Sequence, residues 1–322
     1  MPEPIQISKE DALGYRTGVV AWLEYASTRS AMGVLSRLPY GLQTLIGKGL
    51  SRIAIRVDKR HANAARDYIR QALGGDALKD DRHVLDAYLH LYRVSLDSGA
   101  FNRKVPQETL LDHYNIIASD EVRAAFEGDE GGIMVTAHIG DWEAGSAIMP
   151  HIGMKPAYAV SRPVKNRYLS KFLNGIREKK QLNLVPRRGG MRSTVGILGA
   201  GGWIAMLLDQ RPRGKNIVAS FFGRRVACER GAAVLIKRLG VPVVFGACYT
   251  TDRPFHYQLE FPSYYSADHL SKLSLQEFVE LMNRELESLI LKHPEQYLWL
   301  HDRYRDAPPR EASVDSTPRP VR

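Results

Sequence analysis

The spacing of apolar residues changes near residue 128, and this change limits the folds that the chain can adopt. Up to residue 127, apolar positions recur every three or four residues, which is typical of amphipathic helices. After a break with three glycines at 128–132, short apolar runs typical of buried strands alternate with helix-like runs. The predicted strands are 133–137, 157–160, 203–208, 241–249 and 256–261. The predicted helices are 62–73, 81–96, 108–126, 142–150, 165–180, 191–198, 229–239 and 275–291.

This alternation predicts an α/β fold with a mixed, partly parallel sheet flanked by helices. We expect residues 1–127 to form a helical N-terminal region that associates with a membrane, and residues 128–305 to form the α/β core. Residues 306–322 are rich in Pro, Ser, Arg and Glu and carry almost no large apolar side chain. We expect this tail to be disordered.

The charge balance indicates an anionic partner. The chain has 45 Lys and Arg against 35 Asp and Glu, a formal net charge of +10. Nucleic acid, a phospholipid surface or an acidic carrier protein would complement such a charge. The two cysteines are too few for a disulfide framework, which favours a reducing compartment. The N-terminus lacks the basic region and apolar core of a signal peptide.

Residues 17–57 are the part of the sequence most suited to contact a membrane. Apolar residues recur there at helical spacing, but Arg and Lys interrupt them, so no uncharged apolar stretch of about 18 residues arises. This mixture predicts helices that lie in a membrane interface rather than cross the bilayer. The alternative is a helix that packs on its own domain.

The candidate active site follows the first predicted strand. His138 comes at the carboxyl end of that strand, where ligands bind in open α/β sheets, and Gly140 allows a sharp turn before a helix. Across this turn Glu143 can reach the imidazole, and a carboxylate bonded to one ring nitrogen makes the other a stronger base. We predict His138 as general base, Glu143 as its orienting acid and Asp141 as helix cap. The alternative is a structural histidine bonded to a capping loop.

Other kinds of chemistry lack their sequence signatures. No Gly-x-Ser-x-Gly elbow, Walker A lysine loop or dinucleotide-binding glycine spacing occurs. No His-x-x-x-His or Cys-x-x-Cys spacing predicts a metal site, so we expect none. General-base chemistry without a metal is what the residues favour.

The spacing of His138 and Glu143 resembles the His-x4-acid motif of the lysophospholipid acyltransferase superfamily. More specifically, the chain resembles the lipid A biosynthesis acyltransferase family over residues 30–308. Asp141 departs from the family pattern, which has Asn there, and the N-terminal region is more charged than the family's single membrane anchor. The resemblance rests on segments in a common order: 37–39 (Arg-Leu-Pro), 136–143, 161–163 (Ser-Arg-Pro), 209–211 (Asp-Gln-Arg), 221–224 (Phe-Phe-Gly-Arg), 240–244 and 296–303.

This resemblance implies an O-acyltransferase that moves a fatty acyl group to a hydroxyl of a lipid A precursor. The donor would be acyl carrier protein thioester or acyl-CoA, with no other cofactor and no covalent intermediate. The partners would be acyl carrier protein, a glycolipid and an anionic membrane surface, with no nucleic acid. The enzyme would lie on the cytoplasmic face of the inner membrane, peripherally or through a single N-terminal anchor.

Several further residues receive expected roles in substrate binding or oxyanion support. Arg162, with backbone amides near Gly140, would stabilise the oxyanion or bind a phosphate; a surface salt bridge is the alternative for Arg162. Asp209 ends a very apolar segment, and the resemblance puts it near the active site, where it would position Arg162 or the acceptor. Asp141 adds a second carboxylate. Arg211 belongs to a basic group that would meet phosphates or the carrier protein and that also contains Arg187, Arg188, Arg213, Lys215, Arg224 and Arg225. A solvated basic face is the alternative for that group.

The expected acyl-chain contacts are Phe221, Phe222 and Trp142. The Phe-Phe-Gly segment has an alternative interpretation as an apolar turn beneath the site. Two other functions remain open: acylation of another glycolipid or a lysophospholipid, and a non-catalytic basic module that binds a membrane or nucleic acid. The second leaves His138, Glu143 and Asp209 without a role.

Overall fold

A seven-stranded sheet forms the centre of the computed structural model, which describes residues 14–78, 81–161, 164–179, 182–186, 191–212 and 214–307. The strands are β1 (Tyr114–Ala118), β2 (Gly132–Thr136), β3 (Ala157–Ser161), β4 (Asn183–Pro186), β5 (Trp203–Leu207), β6 (Asn216–Phe221), β7 (Arg224–Glu229), β8 (Val243–Thr250) and β9 (Tyr257–Tyr265). Their order in the sheet is β1-β9-β8-β2-β5-β3-β4, and β6 and β7 form a separate antiparallel hairpin. From β8 to β4 neighbouring strands are parallel, whereas β9 runs antiparallel to β8.

Helices cover both faces of this sheet. They are α1 (Val19–Leu35), α2 (Tyr40–Val57), α3 (Lys59–Leu73), α4 (Arg82–Lys104), α5 (Asp120–Glu127), α6 (Trp142–Ile148), α7 (Arg167–Glu178), α8 (Met191–Gly199), α9 (Arg230–Leu239), α10 (Ala267–Lys272) and α11 (Leu275–Lys292). Short 3-10 helices occupy Gly75–Leu78, Gln107–His113, Met149–His151 and Pro294–Gln296.

The two faces of β2 show how the core is divided. All five residues of β2 are buried, as expected for a central parallel strand. Because side chains alternate along a strand, Ile133 and Val135 pack in one apolar cluster with Phe278 of α11. Met134 points to the other face and packs in a second cluster with Phe126 of α5. Two apolar layers therefore enclose the sheet.

The N-terminal helices pack at one side of this core. Pro39 is the N-cap of α2 and lies between α2 and α1. Gly47 of α2 lies so close to α4 that an added Cβ would be 2.7 Å from the Leu89 and Tyr92 side chains. On α1, Tyr25 contacts Phe172 of α7 with ring centroids 6.1 Å apart. Among the described residues, no helix is both long and apolar enough to cross a membrane.

The predicted α/β class is confirmed, with a mostly parallel sheet between helices. One predicted helix is wrong: residues 108–126 contain a 3-10 helix, β1 and α5. In β1, Ile116 pairs with Leu259 of β9, and this pairing to a strand far along the chain overrides the helical spacing. The sequence patterns also missed β4 and the β6–β7 hairpin. Residues 308–322, the expected disordered tail apart from its first two residues, lie outside the described residues.

The central position of β2 predicts a large difference between two isoleucine truncations. Ile133→Ala in β2 should lower the free energy of unfolding by about 2–5 kcal/mol, because it opens a cavity at a fully buried position. Ile117→Ala in β1, whose side chain is 47% exposed, should lower it by less than about 1 kcal/mol. Urea denaturation of the full chain measures both values. Equal losses would contradict the placement of β2 at the sheet centre.

Candidate active site

The ends of two neighbouring parallel strands bring His138 and Asp209 together. Thr136 of β2 pairs with Leu207 of β5, and the backbone N–H of Leu208 continues the ladder to the Thr136 carbonyl at 3.1 Å. Two residues beyond each paired position, the His138 ring Nδ1 lies 2.8 Å from Asp209 Oδ1. The contact follows directly from the strand register.

Asp209 is buried as a carboxylate that accepts from three donors. Its Oδ1 bonds the His138 ring, while its Oδ2 accepts from the His138 backbone N–H at 3.2 Å and from the Tyr297 hydroxyl at 3.0 Å. Burial alone would raise the pKa of Asp209, but the adjacent His138 and these hydrogen bonds outweigh burial and hold the pKa below its ordinary value. An ionised Asp209 can only accept a hydrogen bond, so Nδ1 of His138 carries the proton and donates to the carboxylate. The lone pair of the imidazole is then on Nε2.

The turn formed by residues 138–141 requires glycine at Gly140. Its φ is +59°, and a Cβ there would lie 2.0 Å from the Cys248 carbonyl oxygen of β8. The turn is fastened on two sides, because the Asp141 N–H donates to the Cys248 carbonyl at 2.7 Å and the Gly140 N–H donates to the Gln296 carbonyl at 3.0 Å. A further bond from Leu298 N–H reaches the His138 carbonyl at 3.0 Å.

These bonds correct the expectation that backbone amides near Gly140 support an oxyanion. The N–H groups of Gly140 and Asp141 both donate within the protein, so neither points to an open site. On the other side of the turn, the ring Nε2 of His90 in α4 donates to the Gly140 carbonyl at 2.9 Å. Burial lowers the pKa of His90 to about 4, so this histidine is a neutral structural donor near pH 7.

The orienting acid differs from the sequence prediction. Asp209 bonds the ring of His138, whereas the carboxylate of Glu143 pairs with both Nε (3.0 Å) and Nη2 of Arg177 in α7. Glu143 follows Trp142 by one residue, which is about 100° around α6. Since the Trp142 ring lies against the imidazole, with centroids 5.3 Å apart, Glu143 points elsewhere. The carboxylate that bonds the His138 ring is therefore Asp209 and not, as the sequence predicted, Glu143.

Asp141 caps α6, as its sequence position predicts. The Asp141 carboxylate accepts from the Ala144 N–H at 2.9 Å, and the residue is 1% exposed. Trp142, the first residue of α6, packs edge-on to His138.

The Nε2 side of the imidazole faces Gln210. The Gln210 side-chain amide lies 3.4 Å from His138 Nε2, the ring nitrogen that does not bond Asp209. Next to Gln210, the Arg211 N–H donates to Nε2 of His301, and the Arg211 guanidinium forms an ion pair with Asp306. Burial lowers the pKa of His301 to about 4, which keeps its ring neutral as the acceptor.

Phe221 and Phe222 lie in a buried aromatic cluster. Phe222 forms the turn of the β6–β7 hairpin with a φ of +50°, and its ring contacts Trp299 with centroids 6.1 Å apart. The Phe221 side chain is fully buried and lies beside Tyr68 of α3. An apolar turn beneath the site describes this arrangement. The assignment of Phe221, Phe222 and Trp142 to an acyl-chain pocket stays a prediction.

Arg162 and several members of the predicted basic group lie outside the described residues: Arg187, Arg188 and Arg213. Arg224 is described, and it pairs with Asp67 of α3 at 2.9 Å. Within the described ranges, no group of three or more His, Cys, Asp and Glu side chains is arranged to hold a metal ion.

Sequence reasoning gave no active-site role to Tyr297, Gln210 or His90; it placed Tyr297 in an interfacial aromatic belt or at the packed end of the last helix. Tyr297 and Gln210 do lie in the segments that carry the family resemblance, and that was the available signal. His90 lies on the helical face of α4, where the spacing of apolar residues does not distinguish a structural polar group from the core.

Comparison with known proteins agrees with the resemblance over most of the chain. The family model described as bacterial lipid A biosynthesis acyltransferase matches residues 15–306. The lipid A biosynthesis palmitoleoyltransferase of Escherichia coli (strain K12) is 24% identical over 301 residues, which cover 90% of this chain and 94% of that protein. A lipid A biosynthesis acyltransferase of Shigella flexneri gives the same values. The lipid A biosynthesis lauroyltransferase of Escherichia coli (strain K12) is 22% identical over 290 residues, or 89% of this chain and 92% of that protein.

The buried His90 predicts a specific pH dependence of stability. The unfolded chain protonates this residue near pH 6.5, whereas the fold keeps it neutral down to a pKa of about 4. Unfolding therefore takes up a proton at His90 between these values, so the His90 contribution to the free energy of unfolding should fall by roughly 3 kcal/mol as the pH is lowered from 6.5 to 4. Burial raises the pKa of Asp97 to about 7, so Asp97 contributes in the opposite direction in both wild type and variant.

His90→Gln keeps an N–H donor for Gly140 and should make this fall shallower, while His301 preserves part of it. Exposed His269→Gln is the matched control and should follow the wild-type curve. Urea denaturation at several pH values measures the slopes. A His90→Gln slope equal to that of the wild type would contradict this origin.

Proposed function

Because the chain belongs to the bacterial lipid A biosynthesis acyltransferase family, we propose that it transfers a fatty acyl group from a thioester to a hydroxyl of a lipid A precursor. The observation that carries this proposal is the His138–Asp209 pair, in which the Nδ1 bond leaves Nε2 as the basic nitrogen, with the Gln210 amide 3.4 Å from it. A base so oriented suits the activation of a hydroxyl.

In the proposed reaction, Nε2 of His138 takes the hydroxyl proton of the acceptor. The resulting oxygen attacks the thioester carbonyl and forms the new C–O bond. The C–S bond then breaks, and the thiol leaves with the proton that His138 returns. Asp209 stabilises the imidazolium formed between these steps, without itself becoming protonated.

We propose acyl carrier protein thioester or acyl-CoA as donor, with no further cofactor. The Gln210 amide beside Nε2 is suited to orient the acceptor hydroxyl. Arg162 is kept as the proposed partner of a phosphate or of the oxyanion, and Arg211 as a second cation beside the site. A purely binding function would not explain why an ionised carboxylate, Asp209, is buried beside His138.

Activity measurements with three carboxylate variants distinguish Asp209 from Glu143. His138→Ala and Asp209→Asn should each lower kcat/KM by about 10²–10⁴-fold, because each removes the oriented base. Glu143→Gln should have a smaller effect, about 10-fold or less, since Glu143 joins α6 to α7. Asp268→Asn, at an exposed pair with Lys272, is the control and should match the wild type.

The assay detects acylated products by mass spectrometry. Each variant is given acyl carrier protein thioesters, or acyl-CoA, with a tetra-acylated lipid A precursor and a lysophospholipid. Product on the lysophospholipid alone would retain the mechanism and refute the acceptor. A loss with Glu143→Gln as large as that with His138→Ala, alongside an active Asp209→Asn, would refute the dyad. No product with any acceptor would refute the proposed activity.

We further propose that α1 and α2 bind the anionic surface of the inner membrane on its cytoplasmic face. Only Ala21 of α1 is buried, although the helix is mainly apolar. On α2, Leu45, Ile53 and Val57 lie on one helical face and are 58–78% exposed. Such a face beside basic residues is typical of interfacial helices. The basic residues of α2 are Lys48, Arg52 and Arg56, spaced four apart along one side of that face.

Vesicle binding tests whether the exposed apolar face of α2 contacts the membrane. Leu45→Glu should weaken binding to vesicles of phosphatidylglycerol and phosphatidylethanolamine at least about 10-fold, because it removes apolar contact and adds repulsion. Leu111→Glu, at an apolar side chain that is 52% exposed outside α1 and α2, is the matched control and should bind like the wild type. Co-sedimentation measures both. Equal weakening by the two variants would contradict a surface centred on α2.

A further inference from the structure

A buried tyrosine lies behind the His138–Asp209 pair. The Tyr297 hydroxyl donates to Asp209 Oδ2 at 3.0 Å, and Tyr297 is 1% exposed. Its oxygen also lies 3.0 Å from the Tyr68 hydroxyl of α3. We propose that Tyr297 is a positioning residue for acyl transfer, which fixes the Asp209 carboxylate so that its other oxygen holds the His138 ring. This inference rests on the proposed function and adds to it.

The direction of each hydrogen bond follows from the donors available. An ionised carboxylate only accepts, so the single hydroxyl hydrogen of Tyr297 is committed to Asp209. Tyr68 must then be the donor in the bond between the two tyrosines. The resulting chain of hydrogen bonds runs from Tyr68 through Tyr297 to Asp209. The carboxylate also accepts the hydrogen bond from Nδ1–H of His138.

Packing prevents the Tyr297 ring from turning away. Trp299 lies edge-on to it with centroids 4.7 Å apart, and Tyr68 does so at 5.8 Å. The next residue, Leu298, bonds the His138 carbonyl through its N–H. One short segment thus holds the backbone of the proposed base and the side chain of its partner.

The charged and titratable groups around Asp209 determine how the protonation of the His138–Asp209 pair changes when Asp209 loses a hydrogen-bond donor. His138 faces it from the end of β2, Tyr297 from the segment after Pro294–Gln296, and Tyr68 from α3 behind Tyr297. His301 also interacts with Asp209, and the guanidinium groups of Arg211 and Arg303 interact with His301. Without the hydrogen bond from Tyr297, the negative charge of the Asp209 carboxylate would attract the His138 ring proton more strongly. The His138–Asp209 pair would then lose its proton at a higher pH.

Two tyrosine-to-phenylalanine variants form a matched test. Tyr297→Phe should lower kcat about 10-fold or more while KM changes less than about 3-fold, and the acid limb of kcat/KM should move up by about one pH unit. Tyr304→Phe removes a hydroxyl from the same aromatic cluster, one that donates to the Phe221 carbonyl rather than to Tyr297 or Asp209, so its pH profile should follow the wild type. Equal losses in both variants with an unshifted acid limb would overturn the positioning role.

A double-mutant cycle tests whether Tyr297 acts through Asp209. In the Asp209→Asn background, Tyr297→Phe should change kcat less than about 2-fold, because the carboxylate that it orients is gone. An undiminished 10-fold loss in that background would overturn the proposal. Thermal unfolding of each variant checks that the fold is intact.

An NMR titration of the ¹⁵N-labelled His138 ring gives a readout that does not need turnover. An upward shift of its titration in Tyr297→Phe, absent in Tyr304→Phe, supports the inference even if no acyl acceptor is found. An unchanged titration overturns it even if the enzyme is active. Failure of the proposed function and failure of this inference are therefore distinguishable.

Discussion

The buried charge of Asp209 is the constraint on which the site depends. Burial of an ionised carboxylate in a protein costs several kcal/mol of solvation free energy, and hydrogen-bond donors around the carboxylate must compensate for this cost. These donors come from different parts of the chain: the His138 ring and backbone at the end of β2, and the Tyr297 hydroxyl near the C-terminal end of the described residues. The sheet order and the close approach at Gly140 are thus conditions for keeping this charge.

The N-terminal helices are part of the site as well as of the surface. Tyr68 of α3 donates to Tyr297, and His90 of α4 donates to the Gly140 carbonyl. The same α4 packs against α2, whose apolar residues face outward. The helices that support the turn at residues 138–141 therefore adjoin the surface proposed to bind lipid. This arrangement suits an acceptor that is itself a membrane lipid.

The Glu143–Arg177 pair gives the His-x4-Glu spacing another physical meaning. Glu143 joins α6, which follows the turn at residues 138–141, to α7, which follows β3. A buried or half-buried pair of this kind fixes the orientation of the two helices that begin on the carboxyl side of the sheet. The acid at this spacing therefore acts on the position of α6, and through it on Trp142 beside the imidazole.

The sequence alone determined the α/β class, most of the sheet strands and the position of His138 at a strand end. Local spacing carries this information, because burial on a strand or helix repeats with the period of that element. It also placed Asp209 at the end of an apolar strand. Only the tertiary structure decided that β2 and β5 are neighbours, since strand order depends on packing between distant segments. That adjacency made Asp209, rather than the nearby Glu143, the partner of His138.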